Sequence, residues 1–356
     1  MLLKKLKHLL RFILISGFIY LGIALLLIFW PISDKKSKST LDFSAIQQLP
    51  ANITLDNLSQ YRARDGKPLY YRKLGEKGSD ILVFLHGSGA DSRYLIPLAS
   101  SLSEQLDLLV ILPDLRGHGR STPILGDIDY LGQYMDDLTD LLARLRKQHP
   151  DAKIILGGHS SGGGLALKHA AFSNTRADAY LMLAPYLGYR SPTVRPDSGG
   201  WVQVATKRYI GLSMLNQLHV RWFNNLPVLF FNRPDSIKDP RLPASYSYRL
   251  NQSMSIEDHV RALEQLPPPA LLLIGSQDES FYPEQFYPLL EQHAPKVGFV
   301  MIEGANHLGL PYSAKAQAKI SAWIEDFSTN QPNLNTQGDR PDFPDQGVFN
   351  EAAQAK

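Results

Sequence analysis

The sequence predicts an α/β fold with a mostly parallel central sheet and helices on both faces. From Asp80 onward, continuous apolar runs of strand length alternate with helix-like segments, which is typical of parallel strands buried on both faces. Polar and glycine-rich segments follow several of these runs, at the sheet edge where open α/β folds bind ligands. With 356 residues, 44% of them hydrophobic, the chain can form one large domain plus accessory segments.

The N-terminal segment, residues 1–30, predicts a transmembrane anchor. Residues 13–30 contain no charged side chain and would extend roughly 27 Å as a helix, close to the hydrocarbon thickness of a bilayer. The basic side chains before this run favour a cytoplasmic N-terminus and place the rest of the chain outside the cytoplasm, although the lysines at 35, 36 and 38 weaken the asymmetry. A cleaved signal peptide and a buried core helix remain open as alternatives.

The remaining chain divides into three predicted parts. Residues 31–58 form a polar tether, residues 59–327 form the α/β domain, and residues 328–356 form a polar tail that we expect to be disordered. The domain opens with an antiparallel hairpin, predicted over 59–64 and 69–73 around an Asp-Gly turn. Within it, helices are predicted over residues 94–106, 130–148, 162–172 and 283–293.

Residues 186–266 interrupt the alternation of strands and helices and predict an inserted cap. This segment is rich in aromatic and basic side chains, including Trp201, Trp222 and Arg233. Two interpretations remain open and are compatible with each other. The aromatic side chains could cover an apolar acyl pocket, or they could only pack the cap onto the core.

The most informative motif is GGHSSGG at residues 157–163. It follows the apolar run 152–156 and opens a helix-like segment, so Ser160 lies where a strand turns sharply into a helix. Such a G-x-S-x-G turn exposes the serine hydroxyl, and small neighbours are needed because strand and helix nearly touch. The sequence therefore predicts Ser160 as a nucleophile. Reading Ser161 as the nucleophile instead would place His159 where the first glycine belongs.

A serine nucleophile needs a base and a group that orients the base. Asp278 follows the apolar run 269–274, and His307 follows the run 297–302, so both lie past the ends of probable strands. The order serine, acid, histidine along the chain fits a catalytic triad. Glu279 is a rival orienting acid, and Glu303 is a third carboxylate on the same edge.

Two glycine-rich loops complete the predicted site. The strand 81–85 leads into His86-Gly87-Ser88-Gly89, where the Ser88 amide is the candidate second oxyanion donor beside the Ser161 amide. We interpret His86 as a structural histidine that holds this loop. The loop at residues 114–121 lacks the Walker and dinucleotide-binding patterns, so we interpret it as a tight turn with His118 in a structural role.

Taken together, LHGSG at 85–89, D-x-R-G-H-G-x-S at 114–121, the serine turn at 158–162, G-x-x-D at 275–278 and Asn306-His307 resemble the successive signatures of the α/β-hydrolase superfamily. The resemblance is closest to its lysophospholipase and monoacylglycerol-lipase-like branch and covers roughly residues 59–327. It implies an α/β-hydrolase fold with Ser160, Asp278 and His307 as triad and the Ser88 and Ser161 amides as oxyanion hole. The doubled serine and the cap sequence depart from the family pattern.

Composition excludes several other classes. The chain has no cysteine, which excludes disulfides, thiol nucleophiles and thiolate metal sites. Neither a metal-binding motif nor a cofactor fingerprint is present, so we predict no metal and no cofactor. Residues 1–38 carry a net charge of +6, which leaves the rest at −3 without a basic nucleic-acid-binding surface.

These observations predict a membrane-anchored serine hydrolase that cleaves carboxylic esters with a hydrophobic acyl chain. Its expected partners are a lipid ester substrate and, through the N-terminal helix, a membrane. An aminopeptidase or amidase on the same fold is one alternative, because the same triad cleaves amides. A hydrolase-fold protein that has lost catalysis and binds a lipid or protein is the other.

Overall fold

An eight-stranded sheet lies at the centre of the computed structural model, which describes residues 1–32, 39–47, 58–75, 80–121 and 124–329. Its strand order is β1-β2-β4-β3-β5-β6-β10-β11, and six strands are parallel while β1 and β2 are antiparallel. The strands are β1 (Leu58–Arg62), β2 (Pro68–Leu74), β3 (Asp80–Leu85), β4 (Leu108–Pro113), β5 (Lys153–His159), β6 (Ala179–Leu183), β10 (Ala270–Gly275) and β11 (Gly298–Ile302). The predicted opening hairpin and parallel sheet are confirmed.

The cap has a sheet of its own, in the strand order β7-β8-β9, with antiparallel pairing. Its strands are β7 (Val202–Val204), β8 (Pro227–Phe231) and β9 (Ser245–Ser247). All three lie within the segment 186–266, where the sequence predicts an insertion.

Eleven α-helices surround the two sheets in the described part of the chain. They are α1 (Leu2–Ile28), α2 (Ser44–Gln47), α3 (Ile96–Gln105), α4 (Gln133–Gln148), α5 (Ser161–Phe172), α6 (Asp197–Gly200, a single irregular turn), α7 (Thr206–Gln217), α8 (Tyr248–Met254), α9 (His259–Glu264), α10 (Phe286–His293) and α11 (Ala314–Ser328). Two predicted helices begin with a 3₁₀ turn instead, at Ser92–Leu95 and Pro283–Gln285. Pro97 and Pro288 account for these starts. Proline lacks an amide hydrogen and is tolerated only in the first turn of an α-helix, so the α-helices begin at Ile96 and Phe286.

Strand register brings the predicted loops together. β3 pairs with both β4 and β5, and Leu85 on β3 lies opposite Gly158 on β5. The turn after β3 therefore lies beside the turn after β5. β10 and β11 are neighbours, with Gly275 opposite Ile302, so the loops that follow them also meet at this edge.

The central strands form the core. Every residue of β3, β4, β6 and β10 is buried, as expected for strands covered on both faces. Helices α3, α4, α5 and α11 contribute their apolar faces to the same cluster. The rigid sheet therefore holds the loops at its carboxyl edge.

Helix α1 packs against the cap rather than against this core. Ala24 and Ile28 are fully buried in a second apolar cluster with Leu212 and Leu215 of α7 and Val228 of β8. The rest of α1 is largely exposed and has a mean hydropathy of 2.3 over 18 residues. Within the described residues it is the one helix whose length and composition suit a membrane span.

The predicted tether and tail are only partly described. Residues 330–356, which hold nearly all of the predicted disordered tail, lie outside the described residues, as do residues 33–38 and 48–57. The described part between the two tether gaps, residues 39–47, is not a free linker: it packs against the cap and the loops at the sheet edge, and Leu41 and Phe43 are buried there.

Candidate active site

Ser160 lies at the sharp turn between β5 and α5, as predicted. Its backbone has φ 57° and ψ −123°, a conformation that L-amino acids rarely adopt. The turn is possible because its glycines allow close contact: a Cβ on Gly162 would overlap the carbonyl oxygen of Leu85, and one on Gly158 would overlap Gly162. The strained turn projects the half-buried hydroxyl of Ser160 away from the strand.

The three residues predicted as a triad meet in space. Nε2 of His307 lies 3.0 Å from Oγ of Ser160, and Nδ1 lies 2.7 Å from Oδ2 of Asp278. The other carboxylate oxygen of Asp278 accepts hydrogen bonds from the amides of Ser280 and Phe281, at 2.9 and 2.8 Å. These bonds fix the carboxylate, which in turn fixes the ring and the tautomer of the imidazole.

The rival residues occupy other positions. Glu279 accepts a hydrogen bond from the backbone amide of His307 at 2.8 Å, so it holds the loop and not the ring. Glu303 is exposed to solvent. The hydroxyl of Ser161 is buried and has no hydrogen-bond partner among the described residues, and no base contacts it. The geometry therefore favours Asp278 over Glu279 and Ser160 over Ser161.

The loop after β3 is positioned to supply an oxyanion donor. The amide of Gly87 donates to the hydroxyl of Tyr94 at 2.8 Å, and the amide of Gly89 donates to the hydroxyl of Tyr246 at 2.7 Å. The amides on both sides of Ser88 are thus already used. A Cβ on Gly87 would lie 3.2 Å from Cβ of Ser160, so this loop runs directly beside Ser160.

His86 orients the peptide that carries the Ser88 amide. Its Nε2 accepts from the Leu115 amide at 3.1 Å, so its Nδ1 is the protonated nitrogen and donates to the Gly87 carbonyl at 2.9 Å. In a trans peptide the N–H points opposite to the C=O, which turns the Ser88 amide away from His86. Burial lowers the pKa of His86, which keeps this ring neutral near pH 7.

A buried chain of hydrogen bonds links the predicted oxyanion loop, residues 86–89, to His307. Nε2 of His159 lies 3.0 Å from the carbonyl oxygen of His307, which can only accept, so Nε2 carries the proton. Nδ1 then accepts from Tyr94 at 2.9 Å, and Tyr94 accepts from Gly87. Burial, and secondarily the nearby His307, hold the pKa of His159 well below its usual value. Sequence reasoning missed these positioning roles.

A second chain joins the cap to the same loop. The hydroxyl of Tyr246, on β9, accepts from Gly89 and lies 2.6 Å from Nε2 of His118, whose Nδ1 lies 3.1 Å from the Arg116 carbonyl. Burial lowers the pKa of His118 to about 3, so the ring is neutral and accepts from the tyrosine. His118 thus supports the predicted oxyanion loop through Tyr246.

The chain matches one protein family over most of its length. Residues 76–310 match the family described as serine aminopeptidase, S33. The chain belongs to this family of α/β-hydrolases. The monoglyceride lipase of Rattus norvegicus is 25% identical over 274 residues, which cover 74% of this chain and 88% of the relative.

Proteins similar to this hydrolase also include a peptidase and a second monoglyceride lipase. The proline iminopeptidase of Saccharolobus solfataricus is 39% identical over 113 residues, covering 31% of this chain and 35% of the relative. The solved structure of a soluble variant of Saccharomyces cerevisiae monoglyceride lipase superimposes with a TM-score of 0.58 at 16% identity, covering 79% of this chain and 98% of the other. That likeness shows a shared fold.

The hydrolase has a cleft of about 500 Å³ that is lined in part by Ser160. Ser160, His307 and the 87–90 loop lie in its wall together with cap residues and the segment 39–47. Its apolar side chains are Leu41, Phe43, Ile46, Trp201, Ile237, Leu242 and Leu308. Across the described ranges there is no cluster of His, Asp or Glu suited to hold a metal ion.

Proposed function

We propose that this enzyme is a membrane-anchored serine hydrolase that cleaves carboxylic esters of hydrophobic acyl chains, with monoacylglycerols or lysophospholipids as the substrate class. The hydrogen-bonded series Ser160–His307–Asp278, opening into a cleft with apolar walls, carries this proposal. The named monoglyceride lipases among its relatives support the ester as the bond cleaved.

In the proposed mechanism, Ser160 attacks the ester carbonyl while His307 Nε2 accepts its proton. Asp278 stabilises the imidazolium that forms. The Ser88 and Ser161 amides bind the oxyanion of the tetrahedral intermediate. His307 then donates its proton to the leaving alcohol, and an acyl-enzyme ester remains on Ser160. Water, deprotonated by His307, hydrolyses this ester and releases the fatty acid.

Replacing the nucleophile tests the assignment. Ser160→Ala should lower kcat on p-nitrophenyl esters by at least about a thousandfold, because the other groups cannot form the acyl-enzyme. It should also abolish labelling by a fluorophosphonate probe. Ser161→Ala is the matched control and should retain both, since its hydroxyl contacts no base. Labelling of Ser160→Ala at the wild-type rate would refute the assignment, and no labelling of folded wild type would favour a non-catalytic binding protein.

Amide cleavage is the second candidate, because the family description and one relative name peptidases. An aminopeptidase needs a free carboxylate to bind the substrate ammonium group. The carboxylates that line the described cleft are both paired: Asp91 with Arg93 at 2.7 Å, and Asp239 with Arg93 and Arg241 at 2.8 and 2.7 Å. We therefore expect p-nitrophenyl esters to be cleaved and aminoacyl arylamides to be poor substrates. Faster cleavage of the arylamides would reverse this choice.

We propose that α1 is retained in the mature protein, because the cap packs onto the C-terminal half of this helix. Tyr20 donates to the Met214 carbonyl at 3.1 Å, Arg208 donates to the Ile28 carbonyl at 3.1 Å, and Lys207 lies 3.6 Å from the centre of the Trp30 ring. Removal of α1 by a signal peptidase would expose the apolar cluster that it covers.

The basic residues before the span favour an extracytoplasmic catalytic domain. We expect externally added protease to digest the domain in intact bacterial cells that express the protein, and Edman sequencing to find Met1 or Leu2 at its N-terminus. A cytoplasmic marker protein is the control for cell integrity. Protection of the domain in intact cells, with digestion after lysis, would place it on the cytoplasmic side. An N-terminus beyond Trp30 would contradict the retained anchor.

A further inference from the structure

The segment Ser39–Gln47, which we call the strap, lies between the membrane helix and the hydrolase domain and outside the matched family range. Three of its apolar side chains line the cleft that contains Ser160, namely Leu41, Phe43 and Ile46. Leu41 and Phe43 are buried, with 8% and 7% of their surface exposed. A linker that only tethers the domain would not bury such side chains beside the nucleophile.

The strap continues the apolar wall of the cap. The ring of Phe43 packs against Trp201, with their centres 5.6 Å apart, and Trp201 packs against Phe231 at 5.2 Å. The indole of Trp201 also donates to the hydroxyl of Ser88 at 3.3 Å. One continuous set of aromatic contacts therefore runs from the strap to the loop that carries the oxyanion donor.

The strap is fixed on two sides. Towards the base, the Asp42 amide donates to Oε1 of Glu279 at 3.0 Å, while the other oxygen of Glu279 accepts from the His307 amide at 2.8 Å. Asn306 also donates to the Asp42 carboxylate at 3.1 Å. Towards the cap, the Thr40 amide donates to the Gly199 carbonyl at 2.9 Å. A wall fixed before the substrate arrives loses little conformational entropy on binding.

We propose that the strap is part of the active site and determines its acyl-chain preference, with Phe43 as the main specificity-determining residue. This inference rests on the proposed ester hydrolase function. An acyl chain of eight or more carbons, lying along the cleft, gains apolar contact with Phe43, whereas an acetyl group bound at Ser160 is too short to need it. The strap thus extends the site beyond the residues that the family shares.

The test is a chain-length series on the full-length protein in detergent micelles. Phe43→Ala should lower the ratio of kcat/KM for p-nitrophenyl decanoate to that for p-nitrophenyl acetate by about tenfold. Phe43→Leu, which keeps a large apolar side chain, should retain most of the ratio. Trp222→Ala, which truncates an exposed aromatic side chain of the cap outside the cleft lining, is the matched control and should leave the ratio unchanged. Fluorophosphonate labelling counts the folded active sites in each preparation.

The outcomes distinguish a failure of the strap inference from a failure of the proposed ester hydrolase function. A ratio for Phe43→Ala that stays within twofold of the wild type, or rises, would overturn the role of the strap while leaving ester hydrolysis intact. The same holds if Trp222→Ala lowers the ratio as much as Phe43→Ala does. A wild type that cleaves no ester in the series would overturn the proposed function and this inference with it.

Discussion

At the scale of single residues, neutral buried side chains hold the surroundings of Ser160 in place. Tyr94 and Tyr246 each accept an amide hydrogen from the loop after β3 and each donate to a histidine whose pKa is lowered by burial. The two tyrosines therefore clamp the amides on either side of Ser88. Such preorganised donors contribute to catalysis because they need no rearrangement in the transition state.

Removing the cap tyrosine hydroxyl tests this clamp. Tyr246→Phe leaves the Gly89 amide and Nε2 of His118 without their partner, at a cost of about 1–3 kcal/mol. We expect kcat to fall about tenfold with little change in KM, because the oxyanion donor acts mainly in the transition state.

Tyr209→Phe is the matched control, since that hydroxyl binds Gln252 away from the cleft. Both variants lose one hydrogen-bonded tyrosine hydroxyl, so equal losses of kcat would contradict a role specific to the oxyanion loop. A rise in KM at constant kcat would instead assign Tyr246 to substrate binding.

Sequence alone predicted the residues that belong to motifs and not those that support them. Ser160 could be predicted because a strand, a glycine-flanked serine and a helix follow one another locally. Tyr246 lies 157 residues after Gly89, and Tyr94 lies 65 residues before His159. Hydrogen bonds over such separations leave no local pattern, and aromatic residues in the cap had two equally good interpretations.

At the scale of elements, the packing of α1 on α7 connects the N-terminal helix to the cap. Gly211 makes this contact possible, because a Cβ there would collide with the backbone of Ala24 and Ile28. Close approach of helices at a small residue is a common way to pack membrane-proximal helices. The cap and the C-terminal half of α1 therefore share one packed interface.

Enlarging this glycine should separate the two helices. Gly211→Val should destabilise the cap–anchor contact by about 1–3 kcal/mol, the usual cost of overpacking, and increase cleavage of the cap in limited proteolysis. Gly17→Val places the same side chain on α1 where nothing lies within 4 Å, so it should leave the proteolysis pattern unchanged. Identical patterns for Gly211→Val and the wild type would show that the contact does not hold the cap.

Where a helix or strand begins and ends depended on local features, such as a glycine or strand pairing, more than on the apolar pattern of the sequence. The helix predicted from residue 130 begins at Gln133, after Gly132 with φ 91°. The three cap strands are three to five residues long, and they pair across stretches of polar loop. No alternation over so few residues distinguishes a strand from a loop, so only their pairing defines them.

At the scale of the whole molecule, buried histidines make the fold sensitive to acid. His86, His118, His159 and His169 are completely buried, and burial lowers the pKa of each. The unfolded chain binds their protons below about pH 6.5, whereas the folded chain does not. Stability is therefore greatest above this pH and decreases as the pH falls, because the unfolded state takes up more protons.

His169 offers a direct test, because burial lowers its pKa to about 4 and neither ring nitrogen has a hydrogen-bond partner among the described residues. As the pH falls from 6.5 to 4, proton uptake by His169 in the unfolded state should lower the free energy of unfolding by about 1.4 kcal/mol per pH unit. His169→Leu removes this titration and the unpaired polar atoms, so its free energy of unfolding should depend less steeply on pH. Denaturant titrations at several pH values measure this, and parallel curves for both proteins would contradict it.

The sequence by itself determined the fold class, the order of the motifs and the three side chains that meet at the edge of the sheet, because these follow from local periodicity and from turns with strict steric demands. The tertiary structure decided which carboxylate contacts His307, which hydroxyls hold the oxyanion loop, and that residues 39–47 wall the cleft instead of only tethering the domain. Those outcomes depend on contacts between segments that are distant in the chain. Only folding brings them within hydrogen-bonding distance.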